Sequence, residues 1–296
     1  MATVASEQLA LFEFPAIPQF TVHLPPLRDP IWTENKAKLI ERYLYYFVLV
    51  TRHGIYVDGF AGPQKPSKPE TWAAKLVLES EPKWLRKFFL YDAKPKKVRL
   101  LEKLKEDQPP ARNNEPTRTV EVIRADFNTG VHDLLASGKI GEREATFCLL
   151  DQQTFECHWS TLQALARHKQ GEFKIELFYF LPSAWLDRAM AAQRDHTVLN
   201  AWWGTPDWQR VRNMREWDRA LLFCERLKQE LGYKSVLPWS IYQRRHGGRV
   251  MYRMIHATDH PHAPNLMFRA YRQAVTPKER PERLQLEFEA WKAAGT

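Results

Sequence analysis

The stretch Ile55-Tyr56-Val57-Asp58-Gly59-Phe60-Ala61-Gly62-Pro63 constrains the fold more than any other part of the chain. A short apolar run enters a turn punctuated by two glycines, as a buried parallel strand does when it passes into a loop. A carboxylate at the strand's end, followed by residues without a Cβ, lets the backbone come close to a bound ligand. In an open parallel sheet, ligands sit beyond the carboxyl ends of the strands, so this loop is expected to floor a pocket. The spacing is not G-x-G-x-x-G and no G-K-[ST] follows, so neither the usual dinucleotide fingerprint nor a P-loop fits. The plainer alternative is a strand-to-loop turn with two structural glycines.

The rest of the chain repeats the theme. Leu39, Ile40, Tyr43, Leu44, Phe47 and Val48 form one apolar stripe, so a helix is expected from about Thr33 to the residue before Gly54. Trp32 and Lys36 fall at its start, either overhanging the pocket or serving, as is commoner, as a packed ring and a solvated charge. Glu70–Ser80 reads as a helix, Phe88–Tyr91 as a strand, Val98–Leu104 as a helix and Val120–Ile123 as a third strand. A short helix over Val131–Leu135, a strand over Thr146–Leu150, a helix capped by Ser160 and a strand over Lys174–Leu181 follow. Strands alternating with helices specify an α/β fold with a parallel sheet covered on both faces. Four strands in a row are followed by an acid: Asp58, Asp92, Asp126 and Asp151. A single Asp at such a place is commonly a turn or cap residue. Four in register point to one carboxyl edge and a ligand pocket.

After a helix over Arg215–Leu231, Val236–Tyr242 and Val250–Ala257 read as two strands around Gly247-Gly248, an antiparallel hairpin. Residues 263–275 read as a helix. The domain is expected over 31–275, after a proline- and aromatic-rich arm at 1–30 and before a charged helix within 276–296.

The stretch 183–217 interrupts the alternation with Trp185, Trp202, Trp203, Trp208 and Trp217 among Arg188, Arg194, Arg210, Arg212 and Arg215. Aromatics among arginines stack bases and bind phosphates. They also build small insertion cores in which arginine stems cover tryptophan. Trp202, Trp203 and Arg210, with Trp159, are the substrate-binding candidates. The net charge of +9 favours a polyanion such as nucleic acid, or else reflects scattered lysines. Cys148, Cys157 and Cys224 form no C-x-x-C pair and suit a reducing cytoplasm. No apolar run reaches the roughly 18 residues of a membrane span, and no secretory signal is evident. Adjacent Cys157 and His158 point apart, and with His256, His260 and His262 they lack the spacing of a zinc site, so no metal is expected.

Together, a strand ending in D-G-F-A-G-P, acids after the next three strands and a terminal hairpin resemble a class I S-adenosylmethionine-dependent methyltransferase. W-T-E-N-K at 32–36, Y-V-D-G-F-A-G-P-Q at 56–64, A-D-F-N at 125–128, D-Q-Q-T-F-E-C-H-W-S-T at 151–161 and M-I-H-A-T-D-H-P at 254–261 resemble, more narrowly, the three-Cys-motif partner protein family of bacteria. The resemblance implies a doubly wound sheet of seven strands with the last inserted antiparallel. It implies that Asp58, Gly59, Phe60, Ala61 and Gly62 wrap the amino acid part of S-adenosylmethionine. Asp92 would accept hydrogen bonds from the ribose hydroxyls. Asp126 would take the adenine amine, with Phe127 against the base. The family name implies a three-cysteine-motif partner, an iron–sulfur protein.

Enzymes of this class that methylate amines on nucleic acid typically end the fourth strand with Asp or Asn, two prolines and an aromatic. Here the stretch is Asp151-Gln152-Gln153-Thr154-Phe155. Asp151 keeps the acceptor and Phe155 a ring to stack, so Asp151, Gln152 and Phe155 are the catalytic candidates; both prolines are absent. The expected function is methyl transfer to a base amine of nucleic acid. The alternatives are a non-catalytic cofactor- or nucleotide-binding partner module, and a nuclease whose four aspartates converge on magnesium.

Overall fold

The computed structural model describes residues 32–111, 115–242 and 250–275. The expected N-terminal arm, the Gly247-Gly248 turn and the helix at 282–293 lie outside the described residues.

Helix α1 (Trp32–Thr51) buries the whole predicted stripe, from Leu39 to Val48. It leads into β1 (Ile55–Asp58), all four residues of which are buried. The helix expected at 70–80 is shorter. A 3-10 turn over Pro69–Thr71 precedes α2 (Ala73–Glu79), and Trp72 between them is extended. Its indole Nε1 donates to the Ala61 carbonyl at 2.6 Å, so the ring ties the glycine loop down and does not line a helix face. Strand β2 (Lys87–Tyr91) is followed by α3 (Pro95–Glu106). Helix α3 starts ahead of the apolar period because Pro95 sits at its first turn, where proline's fixed φ suits a helix.

Strand β3 (Thr119–Ile123) and α4 (Phe127–Ala136) come next, α4 capped by the Asp126 side chain, which accepts from the Asn128 N–H. Strand β4 (Thr146–Leu150) leads to α5 (Trp159–His168), whose N-cap is His158, not Ser160. Strand β5 (Glu176–Pro182) carries Pro182 as its last residue, where a missing N–H is tolerated. The interrupting stretch forms α6 (Leu186–Ala192), α7 (His196–Trp203) and a 3-10 turn at Trp208–Val211. The chain continues through α8 (Glu216–Gln229), β6 (Ser235–Tyr242), β7 (Val250–Thr258) and α9 (Ala263–Val275).

The seven strands form one sheet in the order β3-β2-β1-β4-β5-β7-β6. Strands β1 to β5 pair in parallel; β7 is antiparallel to both β5 and β6. This is the class I methyltransferase architecture. The order turns back between β1 and β4, where the two halves leave in opposite directions, and a crevice opens beyond the strand ends at such a point. Alternation along each strand divides the core. Val57, Phe89 and Cys148 face one layer with the tryptophans of α7. Tyr56, Phe88 and Phe147 face the other layer, against α1 and α9.

Candidate cofactor cavity and acceptor acid

The glycine loop is held from below by Asp58. That side chain is 2% exposed, and its oxygens accept from the Phe60 N–H at 3.0 Å and the Tyr56 hydroxyl at 2.9 Å. Burial pushes the carboxyl up to about 7, although both hydrogen bonds pull the other way. Asp58 thus braces the loop and does not reach into the hollow above it. Ala61 is fixed by its N–H to the Tyr91 carbonyl at 2.8 Å. Both glycines are needed for close packing, not for unusual backbone angles. A Cβ at Gly59 would lie 2.6 Å from the Phe127 ring, and one at Gly62 would lie 2.4 Å from Asp92 Oδ2.

Beyond the strand ends lies a cavity of about 160 Å³ lined by Gly59, Phe60, Gly62, Asp92, Asp126 and Asp151, among others. Three of the four strand-end acids therefore share one hollow, and the fourth supports its floor. Asp92, at the end of β2, is 7% exposed. Its Oδ2 accepts from the Gly62 N–H at 3.2 Å and its Oδ1 from the Lys94 N–H at 2.8 Å. Asp126 is exposed and caps α4 through the Asn128 N–H at 2.8 Å. Phe127 is 2% exposed, packed on Tyr91 at 5.1 Å between ring centroids and on Phe60 at 6.3 Å. It stiffens the wall more than it offers a face.

Asp151 follows β4 and faces the cavity, while Lys36 of α1 meets it through Oδ1 at 2.7 Å and Oδ2 at 2.6 Å. Lys36 is 2% exposed, and its ammonium lies 5.6 Å from the ring centres of both Phe180 and Tyr252. Its place at the start of the first helix is the signal that sequence supplied; the pairing is not readable from spacing.

The other candidates are not brought to this hollow as stacking or reacting groups. Gln152 is 1% exposed. Its Nε2 donates to the Phe180 carbonyl at 3.1 Å and its Oε1 accepts from the Cys157 N–H at 2.6 Å, so it is a strut of the loop after β4. Phe155 is 7% exposed and packs edge-on against Trp202 at 5.1 Å. Trp202 and Trp203 are each 1% exposed; their indoles donate to the Tyr179 hydroxyl at 2.8 Å and to Asp207 Oδ1 at 3.0 Å. Trp159 is buried, with the Arg226 guanidinium 3.9 Å from its ring centre and the same distance from that of Trp203. The rings of the interrupting stretch join the main core layer with Val57, Phe89 and Cys148, and the arginine between Trp159 and Trp203 comes from α8. Arg210 is exposed and reaches Asp207 at 3.4 Å.

Sequence reading passed over Gln64, Lys94, Lys97, Gln153 and Glu156, which also line the cavity. It also missed Asn128 as a brace. Asn128 Oδ1 accepts from the His158 N–H at 2.8 Å and its Nδ2 donates to the Glu156 carbonyl at 2.7 Å, joining the start of α4 to the loop after β4. Among the described residues no three acids, histidines or cysteines come together as a metal site, so the four aspartates do not converge as the magnesium reading expects. No helix among the described residues is long and apolar enough to cross a membrane.

A larger hollow, about 850 Å³, lies at the opposite edge of the sheet, against Tyr43, Phe47, Thr146, Lys169 and Glu176. Two of its polar groups, Glu176 and Lys169, tie elements together. Glu176 accepts from the Tyr43 hydroxyl, from His256 at 2.8 Å and from the Thr258 hydroxyl at 3.0 Å. Lys169, pushed down to about 8 by burial, donates to the Thr146 hydroxyl at 3.1 Å and to the Glu144 carbonyl. Size favours this hollow; topology favours the smaller one, which lies beyond the carboxyl ends of the strands at the switch point.

No protein-family model and no curated protein matches the chain. One similar solved structure is that of protein LPL1258 from Legionella pneumophila str. Philadelphia 1, described under DUF519. It shares 10% identity at a TM-score of 0.41, over 87% of this chain and 96% of that one. The fold assignment rests on strand order and direction, not on this likeness.

Proposed function

We propose that the chain is an S-adenosylmethionine-dependent methyltransferase acting on an amine of a nucleic acid base. The observation that carries this reading is the shared cavity of Gly59, Gly62, Asp92, Asp126 and Asp151 beyond the carboxyl ends of a methyltransferase-ordered sheet. The residues fit the cofactor by their chemistry. Asp92 supplies acceptors for a ribose diol, and Asp126 one for an adenine amine. The lining holds four carboxylates (Asp92, Asp126, Asp151 and Glu156) against two lysines (Lys94 and Lys97), in a chain whose overall charge is +9. That local reversal of sign favours a cationic sulfonium ligand over an anionic nucleotide.

When bound, the cofactor supplies a methyl group to an attacking lone pair. Asp151, held by Lys36, accepts one N–H of the acceptor amine and leaves the nitrogen lone pair directed into the cavity. Holding donor and acceptor in line is the main source of rate in such a transfer. A base within a duplex has to be flipped out to reach Asp151. Isothermal titration of the folded protein with S-adenosylmethionine, beside Asp92→Ala, tests the cofactor half. Binding near one-to-one that Asp92→Ala abolishes supports it, and no binding to folded protein rules it out. Transfer of a labelled methyl group to unmethylated DNA and RNA tests the acceptor half.

One observation favours a second reading, a non-catalytic module working through a three-cysteine-motif iron–sulfur partner. Lys36 engages both oxygens of Asp151, and no proline stiffens the loop that follows. Under that reading the cofactor binds but no nucleic acid is methylated, and transfer to either nucleic acid excludes it.

A further inference from the structure

Asp92 is already engaged by its own chain. Its Oδ1 accepts from the Lys94 N–H at 2.8 Å; its Oδ2 accepts from the Gly62 N–H at 3.2 Å and has Lys97 Nζ at 3.6 Å. An ionised carboxylate offers about four lone-pair sites. Two are taken, both by backbone groups fixed by the glycine loop and by the start of α3, and two remain for the two O–H donors of a ribose diol. Lys97 Nζ, 3.6 Å from Oδ2, is beyond hydrogen-bond distance of the carboxylate but near enough to meet a hydroxyl bound there, and its side chain is 22% exposed.

Lys97 also lines the cavity and lies against the glycine loop. A Cβ at Gly62 would meet Lys97 Cβ at 2.5 Å and Cδ at 2.6 Å, so the lysine stem lies flat on the glycine. Its ammonium points to the Gly62 carbonyl at 3.3 Å. The cavity's 160 Å³ is below the about 300–1,000 Å³ usual for ligand sites.

We propose that Lys97 is a ligand-binding residue that reads the ribose together with Asp92. When a ribose hydroxyl takes Asp92 Oδ2, the lysine ammonium donates to the oxygen of that same hydroxyl. A hydroxyl donates once and accepts up to twice, so the pair recognises it from both sides. A ligand lacking that hydroxyl forfeits both contacts, which makes the site select ribose over deoxyribose. This inference rests on reading the cavity as an S-adenosylmethionine site.

The test is calorimetric binding of S-adenosylmethionine, S-adenosylhomocysteine and the 2′-deoxy and 3′-deoxy forms of the latter to wild type, Lys97→Met, Lys97→Gln and Asp92→Ala. Thermal melts verify folding. Lys97→Met should weaken S-adenosylmethionine about 10- to 100-fold, the scale of a charge-assisted hydrogen bond. Lys97→Gln, which keeps a shorter neutral donor, should fall between. One deoxy ligand should lose about tenfold or more on wild type and much less on Lys97→Met. Unchanged or tighter binding by Lys97→Met, or equal deoxy losses on both proteins, overturns the proposal: the lysine then merely fills the cavity. If Asp92→Ala abolishes binding and Lys97→Met does not alter it, this inference fails and the methyltransferase reading stands. If folded wild type binds none of the ligands, both fail.

Discussion

Replacing Lys36 by methionine separates a buried charge pair from everything else in the site. Methionine keeps the length and apolar character of the stem between Phe180 and Tyr252 and removes only the ammonium. Asp151 is then left with a side chain 13% exposed and no other ion-pair partner among the described residues. At the observed 2.6–2.7 Å the gross attraction is about 6 kcal/mol with an effective dielectric near 20. Much of that is offset by the desolvation of both ions, yet removing one partner strands the other charge, which typically costs about 3–5 kcal/mol. The residual exposure of Asp151 admits some water, so Lys36→Met should destabilise by about 2–4 kcal/mol. Asp151→Asn on the Lys36→Met background should recover about half or more of the loss, because no charge is then stranded. Urea unfolding at pH 7, followed by far-UV circular dichroism, measures all four corners of the cycle. Raising the salt should leave the coupling nearly unchanged, since a buried pair is poorly screened. A cost below about 0.5 kcal/mol for Lys36→Met, or a double variant no more stable than the single, would refute the reasoning.

Three further outcomes follow from the same contacts. Burial raises the Asp58 carboxyl to about 7 from an ordinary 3.8, so the native state binds the extra proton and stability falls as pH rises from about 4 through 7. Asp58→Asn should remove that slope, worth at most roughly 4 kcal/mol, and a stability difference from wild type that stays constant between pH 4.5 and pH 7.5 would contradict it. Gly59→Ala drives a methyl group into the Phe127 ring, itself 2% exposed, and should cost about 1–3 kcal/mol by chemical denaturation. Trp202→Ala should cost about 3–5 kcal/mol, while Arg210→Ala, at an exposed pair, should cost under about 1 kcal/mol; the reverse ranking in thermal or urea melts would restore Trp202 to the surface.

The alternation of elements was legible in the chain because it depends on local periods: two for strands, three to four for helices, broken by glycine and proline. The runs at β1, β2, β3 and β4 carry their apolar character in sequence, each with an acid at or after its end. That was enough to expect Asp58, Asp92, Asp126 and Asp151 at one edge. The hairpin of β6 and β7 was equally plain, but its insertion with β7 beside β5 is a matter of long-range pairing. Departures occur where local pattern competes with tertiary contact. Trp72 leaves its helix because its indole reaches the Ala61 carbonyl. Trp202 and Trp203 carry the composition of a binding surface, yet they fill the layer beneath α8.

The sequence alone determined the fold class, the position of the glycine loop and the acids at the strand ends, since each is written in neighbouring residues. Only the tertiary structure decided that Asp58 lies under the floor, that Lys36 crosses 115 residues to Asp151, and that Lys97 lies on Gly62 beside Asp92. The contacts of Lys36 and of Lys97 with Gly62 join segments 115 and 35 residues apart, and which side chain meets which partner depends on how helices are laid over the sheet.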